Sequence, residues 1–238
     1  NPASTPLTDS LEPLPSSQAE AGVDYRTNTR STQALPAGLG RSLTLAPVSF
    51  ETVVLPVLHA MAAIAQEKAI EIHYQAATHA PAVMADPPAL TEVLNNLIEN
   101  AVKYAPPAAH IYTETGLTRQ APRAGAETPD HPPQRQALGG VLIADTGSGI
   151  PSQDLPHIFE RHYRGVQAET GTPGTGLGLA IVRSLIQAMG GQIEVFSPLI
   201  DCPWIVDHPE LDELEHGTAF VVWLAIAPSS PGCKAELT

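Results

Sequence analysis

The sequence predicts an α+β fold, a two-layer sandwich in which helices pack on one face of a mixed sheet. Amphipathic helical patterns at 50–68, 87–104 and 177–189 alternate with short strand patterns along the chain. The segment 141–144 is continuously apolar, which is typical of a strand buried on both faces. Hydrophobic residues make up 43% of the 238 residues, so a core can form between the two layers. These features favour one sizeable domain with tails.

The predicted domain covers 41–227. The segment 1–40 is rich in Pro, Ser and Thr and has no helical or strand periodicity, so we expect a linker or a disordered tail there. The segment 228–238 is predicted to be a loose C-terminal tail. In the first predicted helix, 50–68, apolar residues recur at helical spacing. They are Val53, Val54, Val57, Leu58, Met61 and Ile64.

Two short strands, a helix and a further strand follow. The alternation of apolar and polar residues predicts a strand at 70–74, and we expect a shorter strand at 82–85. Asp86 has the character of a helix N-cap, and Pro87 suits the first helical position. We therefore expect a helix from Pro87 to about Tyr104, followed by a strand that begins at His110.

Two insertions interrupt the second half of the domain. The stretch 116–140 is rich in Pro and Ala and offers little core material, which predicts a mobile surface loop. The helix 177–189 ends at a glycine pair and leads into a strand at 192–196. A second insertion, 197–216, separates that strand from a final strand at 219–226.

The charge balance excludes some partners. Lys and Arg total 12 against 25 Asp and Glu, a formal net charge of -13. Such a charge repels nucleic acid and anionic lipid, so neither is expected as a partner. It would also repel a phosphorylated ligand, so a site for one must concentrate the few cations locally.

The sequence also predicts a cytoplasmic chain without membrane contact. No stretch approaches the roughly 18–20 apolar residues that a membrane span needs, and the N-terminus lacks the pattern of a signal peptide. Cys202 and Cys233 form no short ligand pair, and we expect free thiols in a reducing compartment.

The predicted helix 87–104 carries a polar face beside its apolar one. At about 100° per residue, six apolar residues form a broad arc that must face the core. They are Val93, Leu97, Leu90, Ala101, Leu94 and Ile98. Asn96, Asn100, Lys103 and Tyr104 form a separate arc beside it. Asparagines in a helix interior disfavour the helix, whereas an amide oxygen suits Mg²⁺ and a lysine suits phosphate. The alternative is a solvated face.

Three further motifs follow. The turn Asp145-Thr-Gly-Ser-Gly-Ile-Pro151 comes directly after the buried strand, and its carboxylate can accept a hydrogen bond from an adenine amino group. Gly147 and Gly149 allow the backbone to approach a flat ring. The segment 158–164, Ile-Phe-Glu-Arg-His-Tyr-Arg, supplies arginines, although a plain surface helix explains it equally well.

The fourth motif, Gly174-Thr-Gly-Leu-Gly-Leu-Ala180, opens a helix. Backbone N–H groups and the helix dipole make such a start an anion site. Its spacing is G-x-G-x-G, so it is neither the dinucleotide-binding fingerprint nor the phosphate loop of the common NTPases.

In this order, and with Gly217-Thr-Ala-Phe220 before the last strand, the motifs resemble the N, G1, F and G2 boxes of sensor histidine kinases. Those kinases have the Bergerat fold of the GHKL ATPases, a mixed, mostly antiparallel sheet covered on one face by about three helices. The resemblance covers about 43–226. The segment Asn100-Ala-Val-Lys-Tyr104 resembles the corresponding motif of the histidine kinases in particular. It implies ATP and Mg²⁺ as cofactors and phosphoryl transfer to a protein histidine.

The resemblance also implies a role for each matching residue. Asn100 would bind Mg²⁺ with Asn96 beside it, and Lys103 would reach the phosphates. Asp145 would read the adenine amino group, and the lid would be 165–173. The other residues implied to contact the nucleotide are Tyr104, Gly147, Gly149, Ile150, Tyr163, Arg164, Gly174, Thr175, Gly176, Leu177, Gly178, Leu179 and Thr218. His162 stands where these kinases usually have an aromatic residue.

Asn96 bears on the reaction class. In the gyrase and chaperone branches of the superfamily, a Glu at this position activates water, and an amide cannot act as a general base. Phosphoryl transfer needs mainly positioning and charge neutralisation, so the site suits a kinase. The rivals are an ATPase of the same fold, an anti-sigma-type serine kinase and a non-catalytic nucleotide-binding module.

None of the nine histidines lies in a motif like the family's phosphoacceptor sequence. The resemblance therefore implies two partners. One is a dimerisation and histidine-phosphotransfer domain, either in the same full-length kinase or in another protein, and the other is a response regulator.

Overall fold

A five-stranded sheet with a layer of helices on one face forms the body of the protein in its computed structural model. The structure describes residues 42–122, 135–165, 174–205 and 216–228. The predicted linker 1–40 therefore falls outside the described residues, as do most of the predicted lid and all of the predicted tail 228–238 except residue 228. The elements are β1 (Ala46–Val48), α1 (Phe50–Glu67), β2 (Glu71–Ala76), β3 (Val83–Ala85), α2 (Pro87–Tyr104), β4 (His110–Pro122), β5 (Arg135–Asp145), α3 (Gly178–Ala188), β6 (Gln192–Phe196) and β7 (Thr218–Ala225).

The strand order of the main sheet is β2-β4-β5-β7-β6. Only the β2–β4 pair is parallel among the described strands, and the other pairs are antiparallel. β1 and β3 form a separate antiparallel pair. This mixed sheet with three helices confirms the predicted α+β sandwich.

The helical layer buries the apolar arcs that the sequence predicts. In α2, Leu90, Leu94 and Ile98 have no exposed surface. In α1, Val53, Val54, Val57 and Leu58 are buried, whereas Ile64 at the end of the predicted stripe is 48% exposed. The two helices therefore pack on the sheet through their predicted faces, except at Ile64.

The start of α2 is held by the predicted cap. Asp86 Oδ1 accepts a hydrogen bond from the backbone N–H of Ala89 at 3.0 Å. Its Oδ2 accepts from the backbone N–H of Thr44 at 2.8 Å. Because Asp86 is only 3% exposed, these bonds replace the water that a buried carboxylate loses.

The prediction of a surface loop over 116–140 is wrong at both of its ends. β4 continues to Pro122 and β5 begins at Arg135, so that Leu117 pairs with Gly140 and Pro122 with Arg135. A bulge between Thr115 and Leu117 precedes this extension, and Gly116 has a φ of +96° there. Residues 123–134 of the predicted loop lie outside the described residues.

The extended hairpin exists because the sheet has a second core on the face away from the helices. Trp223 of β7 is fully buried there, and its ring packs closely on Gly140, where an added Cβ would lie 2.5 Å from Cζ3. Trp223 Nε1 donates to Glu194 Oε2 at 2.8 Å, and Arg119 binds the same carboxylate. Leu199, Cys202 and Ile205 of the second predicted insertion complete this core.

The structure bears on the predictions about free thiols and membrane spans only through the residues that it describes. Cys202 is a buried free thiol, while Cys233 falls outside the description. In the described part of the chain, no helix has both the length and the apolar character needed to cross a membrane.

Candidate functional site

A cavity of about 610 Å³ opens between α2, the turn after β5, the segment before residue 166 and the start of α3. It is lined by all the site residues predicted from the sequence except Gly147 and Leu177. Those that line it are Asn96, Asn100, Lys103, Tyr104, Asp145, Gly149, Ile150, Tyr163, Arg164, Gly174, Thr175, Gly176, Gly178, Leu179 and Thr218. Four separate sequence motifs therefore meet in one cavity.

The polar face of α2 forms one wall of this cavity. Asn96 donates from Nδ2 to the carbonyl oxygen of Glu92 at 2.9 Å, which turns its Oδ1 towards the start of α3. Lys103 Nζ lies 5.1 Å from the centre of the Tyr104 ring. Tyr104 itself is 43% exposed, so this end of the wall is accessible from solvent.

The glycine-rich loop lies against that wall at contact distance. A Cβ added to Gly178 would lie 2.7 Å from Asn96 Oδ1, and one added to Gly174 would lie 2.7 Å from Lys103 Nζ. Any larger residue at either position would displace the polar group of α2. Leu177, which does not line the cavity, is the N-cap residue of α3.

The middle glycine faces the other way. Gly176 has a φ of +67°, and a Cβ there would lie 2.8 Å from the backbone carbon of His162 and from the oxygen of Tyr163. The backbone N–H of His162 donates to the carbonyl oxygen of Gly176 at 2.8 Å. The loop is thus fixed between α2 and the 158–164 segment, and only glycine fits its middle position.

Asp145 lies at the end of β5, opposite Thr218 of β7 in the antiparallel register. Burial raises the pKa of Asp145 from 3.8 to about 6, and a hydrogen bond from the backbone N–H of Gly147 to Oδ1 at 2.9 Å opposes this rise. Gly147 therefore supports the site from outside the cavity. The carboxylate is partly exposed, lines the cavity and is suited to accept a hydrogen bond from a bound ligand.

Ser197 is a supporting residue that the sequence analysis missed. Its Oγ accepts from the backbone N–H of Ile150 at 2.7 Å and donates to the carbonyl oxygen of Gly217 at 2.9 Å. These two bonds tie the turn after β5 to the start of β7. No local pattern reveals Ser197, because its partner Ile150 lies 47 residues away in the chain.

Asp154 was missed as well. It is 4% exposed and lines the cavity, and its Oδ1 accepts a hydrogen bond from the Tyr163 hydroxyl at 2.8 Å. That hydrogen bond raises the pKa of Tyr163. Asp154 Oδ2 packs against the backbone of Gly165. The buried carboxylate therefore positions the segment that leads into 166–173.

The charges around the cavity partly meet the demand that the net charge of -13 creates. Among the described residues that line it, the cations are Lys103 and Arg164 and the acids are Glu99, Asp145 and Asp154. Lys103 lies at the glycine-rich loop, and Asp145 lies at the β5–β7 end. The positive charge thus sits where backbone glycines also approach.

An α+β sandwich whose cavity joins a buried carboxylate, an amide-bearing helix and a glycine-rich loop has the features of a nucleotide-binding domain. Residues 85–228 match the family model described as "Histidine kinase-, DNA gyrase B-, and HSP90-like ATPase". The chain belongs to this family, and its ATP-binding domain is of the histidine kinase type.

Curated relatives and solved structures agree with this assignment. The sensor histidine kinase Hik2 of Synechocystis sp. PCC 6803 is 38% identical over 189 residues, which is 79% of this chain and 39% of Hik2. Hik2 of Thermosynechococcus vestitus is 32% identical over 74% of this chain and 41% of its own length. The chain thus spans about two fifths of these relatives.

Among solved structures, full-length ShkA in complex with AMPPNP has a TM-score of 0.56 and 28% identity, over 80% of this chain and 33% of ShkA. The catalytic domain of the histidine kinase ThkA has a TM-score of 0.56 at 19% identity, over 77% of this chain and 97% of ThkA. The ThkA likeness concerns the fold alone.

Proposed function

We propose that this chain is the Mg·ATP-binding catalytic domain of a cytoplasmic sensor histidine kinase. In this proposal it donates the γ-phosphoryl group of ATP to a histidine of a dimerisation domain outside this chain, for relay to an aspartate of a response regulator. The observation that carries the proposal is the convergence of four separate motifs in one cavity. ShkA, a relative with 28% identity, was solved with an ATP analogue, which supports the same ligand here.

The cavity fits such a ligand. Its volume of about 610 Å³ lies in the range of small-molecule sites. Gly174 and Gly178 place the backbone of the loop directly against Lys103 and Asn96, so that its N–H groups and the lysine would reach the same phosphate. The amide oxygens of the α2 face are hard ligands of the kind that Mg²⁺ prefers.

We assign the β5–β7 end of the cavity to the base. Asp145 would accept a hydrogen bond from the adenine amino group, and its raised pKa reflects the desolvation of this carboxylate. Gly149 and Ile150, held by Ser197, would give the ring a flat contact. Tyr104 and Thr218 line the same cavity and would close this pocket.

The glycine-rich loop and α2 would hold the phosphates. Lys103 and the backbone N–H groups from Gly174 to Leu179 would bind phosphate oxygens, and Arg164 with Tyr163 would approach from the opposite wall. Asn100, with Asn96 beside it, would hold Mg²⁺, which neutralises the charge of the phosphates when bound.

Asn96 supports a kinase rather than a hydrolase. Its side-chain NH₂ donates to the Glu92 carbonyl oxygen, and its amide oxygen cannot take a proton from water. In this proposal Asn96 helps to orient the nucleotide without activating water.

A pair of asparagine variants tests the assignment. Asn100→Asp adds a negative charge inside the cavity, next to the proposed phosphate position, and should weaken Mg·ATP binding by at least about tenfold, or 1.4 kcal/mol. Isothermal titration calorimetry measures this directly. Asn95→Asp adds the same charge to the same helix outside the cavity lining, and its affinity should stay close to that of the unmodified chain.

Equal affinities for the two variants would contradict the site assignment. Circular dichroism melts of both proteins show whether either substitution has instead unfolded α2.

A further inference from the structure

Two histidines and a glutamate come together on the outer face of the sheet, away from the nucleotide cavity. Glu71 and His73 lie two residues apart on the edge strand β2 and so share one face. Glu71 is paired with His110 of β4 in the parallel register. Tyr112, two residues after His110, belongs to the core on the face opposite the helices, so all three side chains lie on that face.

One ligand atom from each of the three side chains lies within 3.8 Å of the other two. His73 Nε2 lies 3.1 Å from His110 Nδ1, and Glu71 Oε2 lies 3.8 Å from the first nitrogen and 3.6 Å from the second. A circle through three atoms at these separations has a radius of about 2.0 Å, the length of a Zn²⁺ bond to a histidine nitrogen or a carboxylate oxygen.

We propose that Glu71, His73 and His110 form a binding site for a divalent transition-metal ion of the Zn²⁺ type. Two imidazoles and one carboxylate are a donor set that Zn²⁺ accepts, with water or another ligand in the fourth position. The set disfavours Mg²⁺ and Ca²⁺, which take oxygen ligands. The site therefore differs in chemistry from the proposed Mg²⁺ position at Asn100.

The scaffold holds the ligands before a metal arrives. The His73 ring stacks on Tyr112 at 4.6 Å with an interplanar angle of 14°, and Tyr112 is only 5% exposed. The backbone N–H of His110 donates to Thr146 Oγ1 at 2.9 Å, which fixes the first residue of β4. The two histidine side chains are each 42% exposed, so an ion can reach them from solvent.

A simple hydrogen-bonded histidine pair is the competing explanation. Such a pair accounts for the 3.1 Å contact between the two rings. It does not require a carboxylate oxygen at a similar distance from both nitrogens, and Glu71 at 69% side-chain exposure is free to extend into water. An ion pair of Glu71 with either histidine is a second competing explanation, because both contacts are within ion-pair distance. Metal titration separates both explanations from a metal site.

The test is a calorimetric titration of the nucleotide-free chain with Zn²⁺ at neutral pH. We expect one site that excess Mg²⁺ does not compete for. His73→Gln and His110→Gln should each weaken Zn²⁺ binding by at least about tenfold, since the loss of even an outer-shell partner has that effect. His59→Gln, an exposed histidine on α1, is the matched control and should bind as the unmodified chain does.

Unchanged Zn²⁺ affinity in both ligand variants, or equal weakening in the His59 control, overturns the proposal. Thermal melts without metal identify a variant that fails to fold, and for that case Co²⁺ gives a second measurement. Its visible absorption bands in the unmodified chain should indicate four-coordinate binding, and their absence also overturns the proposal. Neither result depends on ATP binding, because none of the three residues lines the nucleotide cavity.

Discussion

The environment of the Asp145 carboxylate disfavours its ionised form. Burial raises its pKa from 3.8 to about 6, and the backbone N–H of Gly147 only partly compensates. An ionised Asp145 therefore costs folding free energy at neutral pH. Binding sites commonly carry such a cost, because a ligand donor restores the missing interaction.

Asp145→Asn should stabilise the free chain at pH 7 to 8. Because the folded pKa is raised, the stability contributed by the protonated carboxyl is complete below pH 3.8 and is lost as pH rises through about 6. The gain from the amide should therefore be near zero at pH 4, grow up to about pH 6 and then level off at no more than about 3 kcal/mol. Urea unfolding across this pH range measures it.

Asp201→Asn, which makes the same change at an exposed position, is measured beside it as the control. A stability difference between Asp145→Asn and the parent chain that stays constant from pH 4 to 8 would show that Asp145 titrates normally.

At the scale of elements, the shape of the glycine-rich loop is set by its contacts with α2 and with the 158–164 segment. Gly174 and Gly178 touch polar groups of α2, while Gly176 touches the backbone of the 158–164 segment. The alternation of glycines thus reflects alternate faces of one loop in contact with different elements. The loop can keep this shape only while all three approaches stay free of Cβ atoms.

Gly176→Ala should weaken ATP binding by about tenfold or more, because its Cβ would lie 2.8 Å from the backbone of His162 and Tyr163 and would push the loop away. Gly190→Ala is a close control. Gly190 has a similar φ of +73°, but nothing lies within 4 Å of an added Cβ. Both variants should lose about 1–3 kcal/mol of stability from left-handed backbone strain.

Calorimetry of ATP binding and thermal melts of the two proteins separate the effects. If Gly190→Ala loses as much ATP affinity as Gly176→Ala, backbone strain rather than loop position explains the loss.

At the scale of the whole molecule, the two faces of the sheet carry different cores and different candidate sites. The helix face holds the main core and the nucleotide cavity, while the outer face holds a smaller core around Trp223 and the Glu71, His73 and His110 cluster. The proposed transfer reaction needs one more part, the phosphoacceptor domain. The chain alone should therefore bind ATP without turning it over.

Steady-state hydrolysis tests this expectation. The chain with Mg·ATP should release inorganic phosphate no faster than a buffer control, because Asn96 cannot activate water. Calorimetry on the same sample confirms that nucleotide is bound. Sustained phosphate release would favour the ATPase alternative, and acid-stable phosphate on an added substrate would favour a serine kinase.

Local patterns in the sequence predict much of the fold. The apolar arc and polar arc of α2 follow from the helical period alone, and the cap by Asp86 follows from its neighbours. The hairpin over 116–140 was missed because its apolar residues are few and scattered. Its strands are stabilised by contacts with Trp223 and Glu194, more than 50 residues later in the chain.

The residues of the candidate site also fall into those that the sequence predicts and those that it does not. Residues in recognisable motifs were predicted, whereas Asp154 and Ser197 were not, because each acts through a partner that no short pattern specifies. The histidine pair is the clearest case. His73 and His110 have no motif in common, and only the parallel β2–β4 register places their nitrogens 3.1 Å apart.

The sequence by itself determined the sandwich class, the buried faces of the helices and the residues that make up each of the four motifs. These features depend on periodicity and on residue types that lie close together in the chain. Only the tertiary structure decided the extent of the hairpin, the buried supports of the cavity and the cluster on the outer face. Those features depend on strand register and on which distant residues share a face, and neither is encoded in any short stretch of sequence.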